Sequence, residues 1–206
     1  MRVVPWWGMA SSAAAPLLLV AGWTVAGALQ PRPFNAVSDT ISSLAAAGAT
    51  DRWVMTLVLL AVGACYVLTG LALRPAAMPG RVILVAGGVA GLLVAANPEP
   101  ARGGSLPHGL WATFGFLALA VWAVAGRRPG PLVPYGLRPP VTAVVSGALL
   151  GLLVWFGAEL IMRGGQIGLA ERVLTEAQAA WPLAVVLTCR RSSPGARPPG
   201  AATAAS

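Results

Sequence analysis

His108 is the only histidine in the chain, and it opens an apolar run at the step Pro107-His108-Gly109. An imidazole changes charge near neutral pH, and it acts as a base or proton carrier when a hydroxyl or carboxylate comes within hydrogen-bond reach. Residues of those types lie far away in sequence, in the segment 31–52, PRPFNAVSDTISSLAAAGATDR, where Ser38 and Asp39 are adjacent and Asn35 and Ser42 flank them. Brought together, Ser38, Asp39 and His108 would supply a nucleophile, an orienting carboxylate and a base. A plainer reading of Ser38 and Asp39 is a helix start, which such residues favour for purely local reasons. A plainer reading of His108 is an interfacial side chain with satisfied hydrogen bonds.

The other polar groups are few. Asn97, Glu99 and Arg102 sit in one turn, with Glu99 a candidate binding residue alongside Asn35 and Ser42. Glu159 has Arg163 four residues on, and Arg172 has Glu176 at the same spacing, so each couple is expected to form an ion pair on one helix face. The alternative for Glu159 is to line a polar cavity. One histidine is too few for an ordinary zinc centre, and Cys65 and Cys189 lie inside apolar runs with no CxxC spacing, so no metal and no cofactor is expected. Both cysteines should remain thiols, since their depths differ by roughly 10 Å at helical rise.

The elements that must position these residues are set by composition. The 206 residues are 57% hydrophobic and 10% charged, with a mean hydropathy of +0.75, which is too apolar for a soluble domain. The net charge of +8 comes from arginines in short loops between apolar runs, with no basic cluster interleaved with aromatics, a pattern that speaks against nucleic acid and for a role in topology. The expected fold is all-α: a polytopic six-helix membrane bundle in residues 1–191, with spans near 6–29, 53–73, 82–97, 106–126, 141–162 and 168–190. The first apolar run is longer than that of a secretory signal, so it is read as a retained span. Gly87 with Gly91, and Gly147 with Gly151, have the small-xxx-small spacing that lets helices approach closely. The tail 192–206 has no apolar periodicity and is expected to be disordered.

Between the first two spans, Val37, Ile41, Leu44 and Ala45 fall on one helical face. They predict a short amphipathic helix over 37–47, capped by Asn35 or Ser38 and stopped near Gly48. With six spans and the N-terminus inside, Arg2, Arg74, Arg81, Arg127, Arg128, Arg138, Arg190, Arg191 and Arg197 are cytoplasmic, while Arg32, Arg52, Arg102, Arg163 and Arg172 are outside. That bias obeys the positive-inside rule, and a five-span arrangement would reverse it. The same topology puts His108 and all six carboxylates (Asp39, Asp51, Glu99, Glu159, Glu171 and Glu176) at or near the outer face. Trp6, Trp7 and Trp122 are expected in the inner aromatic belt and Trp53, Trp111 and Trp181 in the outer one.

The loop PFNAVSDTISSLAAAGATDRW running into the second span, followed by a histidine opening the fourth, resembles the bacterial and archaeal membrane protein family called domain of unknown function 998 (DUF998). More distantly, the Ser38-Asp39 step looks like the Frag1/DRAM/Sfk1 group of six-span proteins, which are linked to lipid handling and membrane organisation. The resemblance implies six helices and an outer polar site; the expected location is a bacterial plasma membrane, and the charge bias puts both termini in the cytoplasm. Three functions fit: binding or transport of a lipid or amphiphile; hydrolysis or group transfer through Ser38, Asp39 and His108; or assembly with a second copy or another membrane protein.

Overall fold

The computed structural model describes residues 3–31 and 33–192 and contains seven α-helices, with no strand among the described residues. The helices are α1 (Trp6–Ala28), α2 (Ile41–Ala45), α3 (Trp53–Ala72), α4 (Met78–Ala96), α5 (Leu106–Gly126), α6 (Pro139–Met162) and α7 (Ile167–Arg191), with a 3-10 turn at Tyr135–Leu137. Five of them, α1, α3, α4, α5 and α6, are long and apolar enough to cross a membrane. Residues 193–206, which hold most of the tail expected to be disordered, lie outside the described residues.

The six long helices alternate in direction and close into a ring in the order α1, α3, α4, α5, α6, α7, with α7 returning against α1. Alternation leaves the bundle with two unlike ends. One carries Arg74, Arg81, Arg127, Arg128, Arg138, Arg190 and Arg191; the other carries Asp39, Asp51, Glu99, Glu159, Glu171 and His108. At the arginine end, Arg81 caps α3 by donating to the carbonyls of Gly70 (3.0 Å) and Leu71 (2.8 Å), and Arg128 donates to that of Pro75 (2.7 Å). Helix C-termini leave such carbonyls without partners, and a cation there also complements the helix dipole.

Packing is tightest between α3, α4 and α5. A Cβ on Gly88 would lie 2.7 Å from the Gly63 carbonyl oxygen, and one on Gly87 would meet the Leu119 side chain, so α4 packs backbone to backbone on α3 and takes a side chain of α5 against its own backbone. It begins at Met78, four residues earlier than expected, because Pro79 sits in its first turn where no amide hydrogen is needed. Gly147 and Gly151 of α6 do the opposite of what their spacing suggested: nothing lies within 4 Å of a Cβ at either position. Only Thr142, Ser146 and Leu149 of α6 are buried, all in its first half, while most of its second half is partly buried. Two tryptophans also differ from expectation. Trp122 is fully buried between helices, and Trp181 packs on the core in the middle of α7, so neither belongs to an interfacial belt.

Candidate functional site

The carboxylate end is built where two helix starts bind each other. The first amides of any helix lack intrahelical partners. At α7, the Leu169 amide donates to the Val37 carbonyl (3.0 Å), while at α2 the Ile41 amide donates to Glu171 Oε2 on α7. Arg172 completes the joint: its Nη1 donates to the carbonyls of Ala36 (2.9 Å), Asp39 (2.7 Å) and Gly168 (2.9 Å). Its guanidinium lies 5.2 Å from the Phe34 ring centroid and 5.7 Å from that of Trp23, so aromatic faces cover the charge where water is excluded. The loop before α2 is thereby held down onto α7.

That joint sets the register of α2. The helix spans Ile41–Ala45 rather than 37–47, with Thr40 as its cap: Thr40 Oγ1 accepts from the Ser43 amide at 3.2 Å. Ile41, Leu44 and Ala45 are buried as the helical spacing required, but Val37 is exposed. Asn35 to Asp39 form a turn ahead of the helix, in which Asn35 Oδ1 accepts from the Val37 amide (2.9 Å) and Asp39 Oδ2 from the Asn35 amide (2.9 Å). The end of α2 comes before Gly48, where Ala46 turns extended and the Ala47 amide leaves for the Glu99 carbonyl at 2.8 Å.

His108 enters from α5, whose start is capped by Ser105. The ring is buried, at 4% exposure, with Nδ1 3.0 Å from the Asn97 carbonyl oxygen and Nε2 3.2 Å from Ser42 Oγ. Glu99 Oε1 lies 3.9 Å from Nε2, and Ser42 Oγ lies 3.2 Å from Glu171 Oε1 on its other side. A carbonyl oxygen only accepts, so Nδ1 carries a proton, and in the neutral ring Nε2 offers its lone pair to Ser42. The result is a continuous array: Glu99, His108, Ser42, Glu171.

Of the residues singled out in the sequence, His108, Ser42 and Glu99 are brought together. Ser38 and Asp39 are not part of this group: Ser38 donates to Asp39 Oδ1 at 3.4 Å, and no hydrogen bond joins either to His108 among the described residues. Asn35 stays in the exposed turn. Glu159 closes the link between α6 and α7 by accepting from the Gln166 amide (2.9 Å), and Arg163 adopts the left-handed conformation at the end of α6. The expected pairs Glu159–Arg163 and Arg172–Glu176 are therefore not formed: backbone groups at helix ends take Glu159 and Arg172, and Glu176 Oε2 is buried without a hydrogen-bond partner. Cys65 and Cys189 are both buried and no disulfide joins them.

Glu171 is the member of the array that sequence reading missed as a site residue. Its signal is the polar stripe Glu171, Thr175, Gln178 at i, i+4 and i+7, which is the inward face of α7. Thr175 donates to the Glu171 carbonyl (2.8 Å) and Gln178 to that of Phe116 (2.9 Å).

Two spaces flank the array. A central cavity of about 100 Å³ lies inside the ring beneath α2, bordered by Tyr66, Leu119, Glu171, Thr175 and Gln178. A lateral groove of about 310 Å³ lies between α5 and the second half of α6. Its closed end is Thr40, Ser42, Glu99, His108 and Glu171, and its walls are Phe116, Leu117, Leu153, Phe156 and Leu160. Ser42, Ala112, Phe116 and Glu171 border both spaces and form the partition between them. Among the described residues, no group of three or more His, Cys, Asp and Glu is gathered so that it could hold a metal ion.

The sequence pattern of the family described as Protein of unknown function (DUF998) matches residues 13–188. No curated protein and no solved structure matches the chain.

Proposed function

The chain belongs to the DUF998 family, whose description names no reaction, and from its own geometry we propose that it is a six-span membrane protein that binds a lipid or other amphiphile in the groove between α5 and α6. The observation that carries this reading is the groove's two-part lining, a polar closed end at Ser42, Glu99, His108 and Glu171 and apolar walls along two helices that are candidate spans. A head with hydrogen-bonding groups and a tail of hydrocarbon match those parts in order.

The sixth span is α7. At about 1.5 Å per residue its 25 residues reach about 37 Å, enough to cross a bilayer core of about 30 Å. Its polar groups count little against this, because Glu171, Arg172 and Gln178 are turned into the protein at 4%, 8% and 1% exposure. The arginine end faces the cytoplasm of a bacterial cell by the positive-inside rule, which leaves both termini inside and the groove's polar end outside.

Gly157 gives a direct test. It borders the groove, and nothing lies within 4 Å of a Cβ there, so Gly157→Leu adds a side chain to the groove without a clash. Gly151→Leu adds the same side chain to open space away from the groove. Native mass spectrometry of the purified proteins should show co-purified lipid on wild type and Gly151→Leu and at least tenfold less on Gly157→Leu. Equal lipid on all three would reject the groove as the binding site.

A further inference from the structure

The array at the closed end of the groove is one hydrogen short. With Nδ1–H committed to the Asn97 carbonyl, the neutral His108 ring presents a lone pair at Nε2, and an ionised Glu171 presents one at Oε1. Ser42 Oγ stands 3.2 Å from each and has a single proton to give. One of the two contacts would then set lone pair against lone pair, between side chains that are each only 4% exposed. One added proton cures this in either of two ways. On Glu171 it is donated to Ser42, whose hydroxyl then points at Nε2; on His108 it is donated to Ser42, whose hydroxyl then points at Glu171. The two forms interconvert by a shift of protons along the array.

Building on the groove as an amphiphile site, we propose that the array holds one exchangeable proton and that the amphiphile taken up is an alkyl ammonium, whose N–H replaces it. The groove's lining favours that head. Its charged groups are the two carboxylates Glu99 and Glu171, and no arginine borders it. Arg172 of α7 does not border it: its Nη1 donates to the carbonyls of Ala36, Asp39 and Gly168, its guanidinium lies by the rings of Trp23 and Phe34, and its Nε and Nη2 are buried without hydrogen-bond partners. From the other elements, Asp39 faces Arg172 from the loop, Glu159 of α6 is held by the Gln166 amide, and Tyr66 of α3 borders the cavity on the far side of Glu171. A phosphate head would meet two carboxylates and no arginine in the groove's lining.

The exchange balances. Before uptake, the array with its proton and ionised Glu99 carries one negative charge, with His108 and Glu171 neutral as a pair. On uptake the ammonium brings one positive charge and donates N–H hydrogens toward Nε2 and the carboxylates. The array proton passes through His108 Nε2 to Glu99, which is half-buried 3.9 Å away, and from there to water. The site again carries one negative charge, so an ammonium enters as a proton leaves.

The experiment is isothermal titration of dodecylammonium into the full-length protein in nanodiscs, at one pH in two buffers of different ionisation enthalpy, which counts protons released per bound ligand. Wild type should release about one proton per dodecylammonium. Glu171→Gln supplies a permanent amide donor to Ser42, and its count should fall to about zero with affinity at least tenfold lower. Dodecyltrimethylammonium, which has no N–H, should bind at least tenfold more weakly than dodecylammonium. Saturable binding that Gly157→Leu abolishes but that releases no proton in wild type would overturn the exchange and leave the groove reading standing. No saturable binding of any amphiphile would overturn both. The wild-type count needs no variant, so the test holds even if Glu171→Gln does not fold.

Discussion

Arg172→Ala probes how the loop before α2 is kept in place. The guanidinium donates three hydrogen bonds from one nitrogen and is covered by two aromatic rings. A hydrogen bond from a charged group contributes about 1.5–3 kcal/mol, and a covered cation over an aromatic ring adds about 1–2. These do not sum, since three acceptors share one nitrogen and the Ala36 carbonyl, in an exposed part of the loop, regains water when the side chain is lost. A net loss of about 3 kcal/mol in loop docking is the expected size, which is roughly a hundredfold in the opening equilibrium. Amide hydrogen exchange reports it directly, because the Ile41 and Leu169 amides are held only by the joint between the loop and α7. In Arg172→Ala, peptides covering 33–45 should exchange about a hundredfold faster while peptides from α3 and α4 keep wild-type rates. Arg172→Lys should fall between, since an ammonium can reach a carbonyl but cannot lie flat on Phe34 and Trp23. Wild-type protection of 33–45 in Arg172→Ala would refute the idea that this side chain holds the loop.

Two further outcomes test the bundle and its orientation. Gly88→Ala places a methyl 2.7 Å from the Gly63 carbonyl and 2.8 Å from the Val67 amide, so thermal unfolding in detergent should show a loss of about 1–3 kcal/mol, whereas Gly147→Ala, with open space around it, should gain about 0.5–1 kcal/mol from helix propensity alone. A cysteine replacing exposed Arg102 should react with an impermeant maleimide on intact cells and one replacing exposed Leu132 only after permeabilisation; the reverse pattern would invert the proposed topology and equal labelling would reject it.

The apolar runs could be read along the chain because a helix that meets hydrocarbon must bury its backbone bonds in itself and cover about 30 Å with nonpolar side chains, a requirement each segment meets alone. The clustering of carboxylates and His108 at one end could be read as well, since alternation of direction needs only the count and order of helices. Which hydroxyl faces His108 could not. Ser38 and Ser42 are one helical turn apart and alike in type, and the choice fell to Ser42 because Thr40 caps α2 and Glu171 takes the first amide of that helix, leaving Ser38 in the preceding turn. Small-xxx-small spacing in sequence was equally silent on packing: Gly87 with Gly91 lies against α3 and α5, while Gly147 with Gly151 faces open space. Both pairs permit close approach, and only which face α6 turns to its neighbours decides that one of them has nothing to approach. The groove likewise comes from a gap between helices and so has no signature in any one of them. Residue types determined what each segment could do by itself; distances between segments, set by Arg172, Glu171 and the packing of α5 against α6, decided which of those capacities meet.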